Sequence, residues 1–285
     1  MARVLVTGAS GFIGQHVIHE LSLQGHEIIA TGLRTDVEAC PWLQNISYIS
    51  RDLNRKHENY YDFFQQPDLL IRLAWSGLPN YSGLFHIEEN LTANYYFLKN
   101  MLGNGLSDLT VIGTCFEYGR QNGQLREDMP CFPDNAYAIA KDSLRRFLTE
   151  LQKGMNFDLK WLRLFYMFGE GQSEKSLLSQ LIKAVELKQE TFNMSGGEQL
   201  RDYLPVEQVA ANIIKAALQN DVKGIINCCS GKPLSVRQLV ENKLQVLQYS
   251  MTLNLGYYPY SEHEAMAFWG CTKKQESIQM AEDSI

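Results

Sequence analysis

Near the start of this 285-residue chain, an apolar β-run from Val4 to Val6 feeds a turn carrying Gly8, Gly11 and Gly14. Apolar residues at helical spacing follow it: Ile13, Val17, Ile18 and Leu21. Strand, glycine turn and helix in that order are what a dinucleotide fingerprint requires. Gly8 permits the tight turn, Gly11 lets backbone approach a pyrophosphate, and Gly14 lets the helix pack closely on the sheet. The helix N-terminus then faces the phosphates.

The rest of the chain repeats this alternation. Glu27–Thr31, Ile46–Ser50, Asp68–Leu73, Leu109–Ile112 and Leu159–Leu164 read as strands. Phe12–Gln24, Ile87–Leu102 and Tyr137–Lys153 read as helices, each closed by glycine. The pattern predicts an α/β fold with a doubly wound parallel sheet, its ligands at the carboxyl ends of the strands. Residues 1–165 read as a dinucleotide-binding Rossmann domain. Residues 166–285 read as a smaller, mainly substrate-binding α/β portion that returns segments to the main sheet. Its helices are expected near 176–188, 206–218 and 235–248, with a strand at 224–228 and a polar, frayed end over 273–285.

Composition narrows the partners. A net charge of −6 and a pI near 5.6 argue against a nucleic-acid polymer. No apolar run approaches the ~18 residues that span a bilayer, so no membrane partner and a cytoplasmic location are expected. The six cysteines and six histidines show no metal-ligand spacing, and surface or helix-capping roles are expected of the histidines. No metal is expected.

Tyr137-Ala138-Ile139-Ala140-Lys141 puts a phenol and an ammonium on one helix face. A free tyrosine is a poor acid or base at neutral pH, and a nearby cation favours its phenolate. With the glycine turn about 125 residues upstream, this pair resembles the extended, nucleotide-sugar-modifying branch of the short-chain dehydrogenase/reductase superfamily. The similarity spans roughly residues 1–240. Ile112-Gly113-Thr114-Cys115-Phe116-Glu117-Tyr118-Gly119, Arg163-Leu164-Phe165-Tyr166-Met167-Phe168-Gly169 and Gly196-Gly197-Glu198-Gln199-Leu200-Arg201-Asp202-Tyr203 carry it further. It departs from the family at Tyr166, where asparagine is common, and at Glu170, where proline is common.

The resemblance implies that Thr114, Tyr137 and Lys141 are catalytic. It implies a nicotinamide cofactor against Gly8, Ser10, Gly11, Phe12, Ile13, Gly14, Arg34, Asp52, Leu53, Leu73, Ala74, Asn90, Tyr137, Lys141 and Phe165. Substrate contacts fall to Trp75, Thr114, Glu117, Tyr166 and Arg201. Strand two ends in Gly32 rather than an acidic residue, with Arg34 close behind, which favours NADP(H) over NAD(H).

Sugar dehydratases of this branch carry an acidic pair directly after the catalytic threonine, and this chain has Cys115 and Phe116 there. Epimerase-reductases use a cysteine and a histidine; Cys115 is one place early for that pattern, and His263 is the only histidine beyond His86. The remaining expectation is NADPH-dependent reduction of the C4 ketone of an NDP-4-keto-6-deoxyhexose, of the dTDP-4-keto-6-deoxyglucose type, to a sugar such as dTDP-fucose. A 4-epimerase with retained NAD, and a non-catalytic dinucleotide-binding regulator, are the alternatives. The resemblance also implies a homodimer, with helices Ile87–Leu102 and Tyr137–Lys153 as the candidate interface.

Overall fold

A computed structural model describes residues 1–35, 38, 40–44, 46–260 and 265–282, with side chains to 278. Seven parallel strands form the main sheet. Across it they run Gly224–Cys228, Asp158–Leu164, Asp108–Thr114, Leu69–Arg72, Arg3–Thr7, Glu27–Gly32 and Ser47–Ser50. Strand order reverses beside Arg3–Thr7, so a crevice opens there at the carboxyl ends.

Successive side chains of a strand point to opposite faces, and here both faces are apolar. Val4, Val6, Ile28 and Ala30 join one core with helices Phe12–Leu23 and Val206–Leu218. Leu5, Ile29, Leu109 and Trp161 join the other with helices Thr92–Gly103 and Ala136–Leu151. Cover on both sides is what an all-parallel sheet demands, and it explains the near-continuous apolar runs. Val206–Leu218 and Gly224–Cys228 therefore belong to the main sheet layer, the latter pairing with Asp158–Leu164.

Residues 166–205 add what periodicity did not reveal. Leu200–Pro205 pairs parallel with Tyr166–Phe168 and antiparallel with Pro233–Ser235. Helices Leu177–Glu186 and Val236–Val246 pack a separate small core around Leu181 and Val240. The expected frayed end is instead a helix, Lys273–Glu282. Ile278 is buried in the first core, and Lys274 Nζ donates to the carbonyls of Lys223 and Ile225 at 2.8 and 2.6 Å. These ties hold a segment whose composition alone reads as solvent-exposed. The helix expected from Ile87 opens as a π-helical turn, His86–Leu91, before the α-helix proper. Among the described residues, no helix is long and apolar enough to cross a membrane.

Candidate active site

The crevice is a cleft of about 630 Å³ above the strand ends. At one end lies the glycine turn. Gly8 has φ +73°, and a Cβ there would sit 2.8 Å from the backbone nitrogen of Ala74; a Cβ on Gly14 would collide with the carbonyl of Gly8. Helix Phe12–Leu23 starts at Gly11 with no side-chain cap, which leaves its first N–H groups to the cleft. A bare, positive helix end over backbone that tolerates no side chain fits a pyrophosphate.

Tyr137 and Lys141 sit at the other end. Helix Ala136–Leu151 is capped by Asn135, whose side chain accepts from the Ala138 N–H at 2.9 Å. The Tyr137 N–H donates to the Tyr81 carbonyl at 3.0 Å. The Tyr137 ring packs against Trp75, Tyr81 and His86, and Thr114 is a hydrogen-bond partner of its hydroxyl. Lys141 Nζ donates to the Ile112 carbonyl at 2.7 Å and lies 4.1 Å from the centre of the Trp75 ring.

Thr114 ends strand Asp108–Thr114 and caps the short helix Cys115–Tyr118. Its hydroxyl accepts from the Phe116 N–H, while Glu117 accepts from the Thr114 N–H at 2.9 Å. Glu117 is fully buried. Its carboxylate also accepts from Arg163 Nε at 2.7 Å and Trp161 Nε1 at 2.9 Å. This pair stands behind Gly113, where any Cβ would strike Trp161 and Glu117.

Burial sets the proton affinities. It lowers Lys141 to about 7; Glu117 opposes that shift and Arg72 reinforces it. It pushes Tyr137 well above the ordinary tyrosine value, with Tyr81 adding to the rise and Thr114 opposing it. The lowering of the Tyr137 pKa expected from Lys141 is therefore outweighed by burial. The phenol is held protonated, as a donor.

Most of the predicted site residues line this one cleft. Gly8, Ser10, Gly11, Phe12, Ile13, Gly14, Asp52, Leu53, Leu73, Ala74, Asn90 and Phe165 run along it to Trp75, Thr114, Tyr137, Lys141 and Tyr166. Three do not. Glu117 is locked to Arg163 and faces the protein interior, not a substrate. Arg201 is buried with its guanidinium 4.6 Å from the Phe268 ring, donating to the Leu200 carbonyl at 2.9 Å. Arg34 is exposed, and its carbonyl accepts from the Tyr48 hydroxyl at 3.0 Å. Beside it, a Cβ on Gly32 would lie 2.9 Å from both Ser10 Oγ and Tyr48 Oη, so two neutral hydroxyls fill the place of the missing acid.

Other groups were not foreseen. Tyr81, Phe116, Arg72 and Asn94 line the cleft. His86 is fully buried, against the expectation of a surface or capping role. Its Nδ1 accepts from Trp75 Nε1 at 3.0 Å and its Nε2 faces the Asn80 carbonyl at 2.6 Å, which requires the ring proton on Nε2. The one available sequence signal was Arg72, a charge closing the apolar run Leu69-Leu70-Ile71. His263 lies outside the described residues.

A dinucleotide cleft ending in a Tyr/Lys/Thr cluster defines a nicotinamide-dependent enzyme of the Rossmann class. Residues 4–229 match the NAD dependent epimerase/dehydratase family, and the chain belongs to it. It is 30% identical to dTDP-6-deoxy-L-talose 4-dehydrogenase (NAD(+)) of Aggregatibacter actinomycetemcomitans, over 94% of this chain and 99% of that protein. It is 23% identical to dTDP-4-dehydro-6-deoxyglucose reductase of Escherichia coli, over 84% and 79%. UDP-glucose 4-epimerase of Thermus thermophilus, solved with NAD, shares the fold at TM-score 0.81 and 20% identity, over 96% of this chain and 92% of that one. The protein is thus an oxidoreductase of nucleotide-sugar metabolism.

Proposed function

We propose that the protein is a 4-ketoreductase of an NDP-4-keto-6-deoxyhexose, of the dTDP-4-keto-6-deoxyglucose type, run with NADPH. One observation carries this reading: among the described residues, no carboxylate stands free beside Tyr137 at its end of the cleft. Thr114 is followed by Cys115 and Phe116, and the nearby carboxylate, Glu117, is consumed by Arg163. Eliminating water from a sugar needs an acid and a base; reducing a ketone needs one proton.

Bound in the cleft, the nicotinamide would exchange a hydride with C4 of the sugar. Gly8, Gly11 and Gly14 would hold its pyrophosphate, with Asn90 and Phe165 along its length. Tyr137 would give its hydroxyl proton to the oxygen at C4 as charge grows there. Thr114 orients that oxygen with the hydroxyl that already contacts Tyr137. Lys141 holds positive charge behind the phenol, which favours the phenolate left after transfer. Phe116, Tyr166 and Trp75 give this end an aromatic wall, suited to the methyl group of a 6-deoxy sugar.

The absence of an acid at Gly32, with exposed Arg34 two residues on, supports NADPH as the reductant. Exposed Tyr96 and Phe147, on the paired helices Thr92–Gly103 and Ala136–Leu151, support a homodimer across that face. Sedimentation velocity should give twice the chain mass.

The decisive assay offers dTDP-4-keto-6-deoxyglucose with NADPH or NADH and identifies the product by NMR. Steady cofactor oxidation with a 4-hydroxy product is expected. Interconversion of 4-epimers without added cofactor would make it an epimerase, and binding without turnover a regulator.

A further inference from the structure

Arg72 is the least expected charge in the molecule. It ends strand Leu69–Arg72, is 5% exposed, and lines the cleft floor. Among the described residues it makes no ion pair. Its Nε donates to Asn94 Oδ1 at 2.9 Å, its guanidinium lies 4.9 Å from the Phe97 ring, and its Nη1 is buried without any partner. A buried guanidinium with no counter-charge is costly, so its neighbours feel its full field. Arg72 pairs across the sheet with Val111, next to Ile112, whose carbonyl holds Lys141 Nζ. Both side chains line the same cleft.

We propose that Arg72 is a positioning residue that acts through Lys141: its uncompensated charge biases Lys141 toward the neutral amine and sets the pH range of the Tyr137–Lys141 pair. This rests on the reductase reading above, in which that pair carries the proton.

The other groups around Lys141 do not do this. Glu117, from Cys115–Tyr118, pulls the other way and is shared with Arg163. Trp75 offers a π face that favours the ammonium form. His86, from the π-helical turn, is engaged on both ring nitrogens, by Trp75 Nε1 and the Asn80 carbonyl. Asn90, Asn94 and Thr114 are neutral, as is Tyr137 on Lys141's own helix. Tyr60 and Phe97 flank Arg72 without neutralising it. Among the described residues, Arg72 is the cation set against Lys141 across this layer, adding to a burial that already brings the amine to about 7.

The sign follows. In reduction the phenolate left after proton transfer is favoured by a protonated Lys141, so activity falls as pH rises through the Lys141 midpoint. Removing the neighbouring cation raises that midpoint.

The test titrates Lys141 directly in substrate-free protein, by the 13Cε shift of labelled lysine assigned with Lys141→Arg. Arg72→Met should raise the midpoint by about one pH unit, and Arg72→Lys should leave it near the wild-type value. The alkaline limb of kcat/KM should move upward with it. Arg72→Gln, which keeps a donor for Asn94, is read instead if the Met variant fails to fold. An unchanged midpoint in the neutral variant overturns the proposal, and so does an equal rise in Arg72→Lys. A shifted midpoint in protein that reduces no keto-sugar would sink the reductase reading and leave the Arg72–Lys141 coupling standing.

Discussion

Replacing Tyr137 with Phe should lower kcat for keto-sugar reduction by about 10²–10⁴-fold while NADPH affinity stays within about twofold. The variant deletes one oxygen and keeps the ring. Contacts with Trp75, Tyr81 and His86, at 5.9, 5.5 and 5.4 Å between ring centres, are preserved, so the fold should hold. What is lost is the phenolic hydroxyl that both reaches Thr114 and stays protonated, through burial, across the neutral range. Stopped-flow single-turnover rates, beside fluorescence titration of the cofactor, separate chemistry from binding. Turnover near the wild-type rate would remove Tyr137 as the proton donor.

Arg163→Met should be the most destabilising single change in the site region. Arg163 and Glu117 both have side chains of 0% exposure and meet at 2.7 Å, with Arg163 also donating to Cys131 Sγ and stacking over Tyr118. Methionine fills comparable volume but leaves the Glu117 carboxylate buried with only Trp161 and the Thr114 N–H as donors. Stranding one member of a buried pair costs about 3–5 kcal/mol, or a fall in Tm of roughly 10 °C for a chain of this size. Chemical denaturation gives the free energy and calorimetry the Tm. The double variant Arg163→Met/Glu117→Gln should recover part of the loss, because no charge is then stranded. Additive losses in the double variant would show that the pair contributes only by packing. Activity should fall as well, since Glu117 holds the backbone of Thr114 in place.

The two predictions differ in how visible their residues were in the amino-acid order. Tyr137 and Lys141 announce themselves, because four residues is one helical turn and covalent geometry puts them on the same face. The glycines at 8, 11 and 14 do the same for the turn, and the apolar runs for the sheet. Glu117 was misread as a substrate contact: a carboxylate beside a catalytic threonine looks available until its partner, 46 residues on, is seen across the sheet. Arg201 likewise lies off the cleft lining, since its burial depends on Phe268 and on strand pairing that no local pattern encodes.

By itself, then, the chain's order of residues determined the doubly wound sheet, the dinucleotide turn and the phenol–ammonium pair, all set by interactions within a few residues along the backbone. Tertiary structure alone decided which charges face the cleft and which are spent inside. It turned Glu117 inward to Arg163, buried His86 against the Tyr137 ring, left Arg72 without a counter-ion among the described residues, and pushed the Tyr137 pKa up rather than down. Those outcomes depend on which strands lie side by side and how much water reaches them, and desolvation is a property of the packed molecule rather than of any short stretch of it.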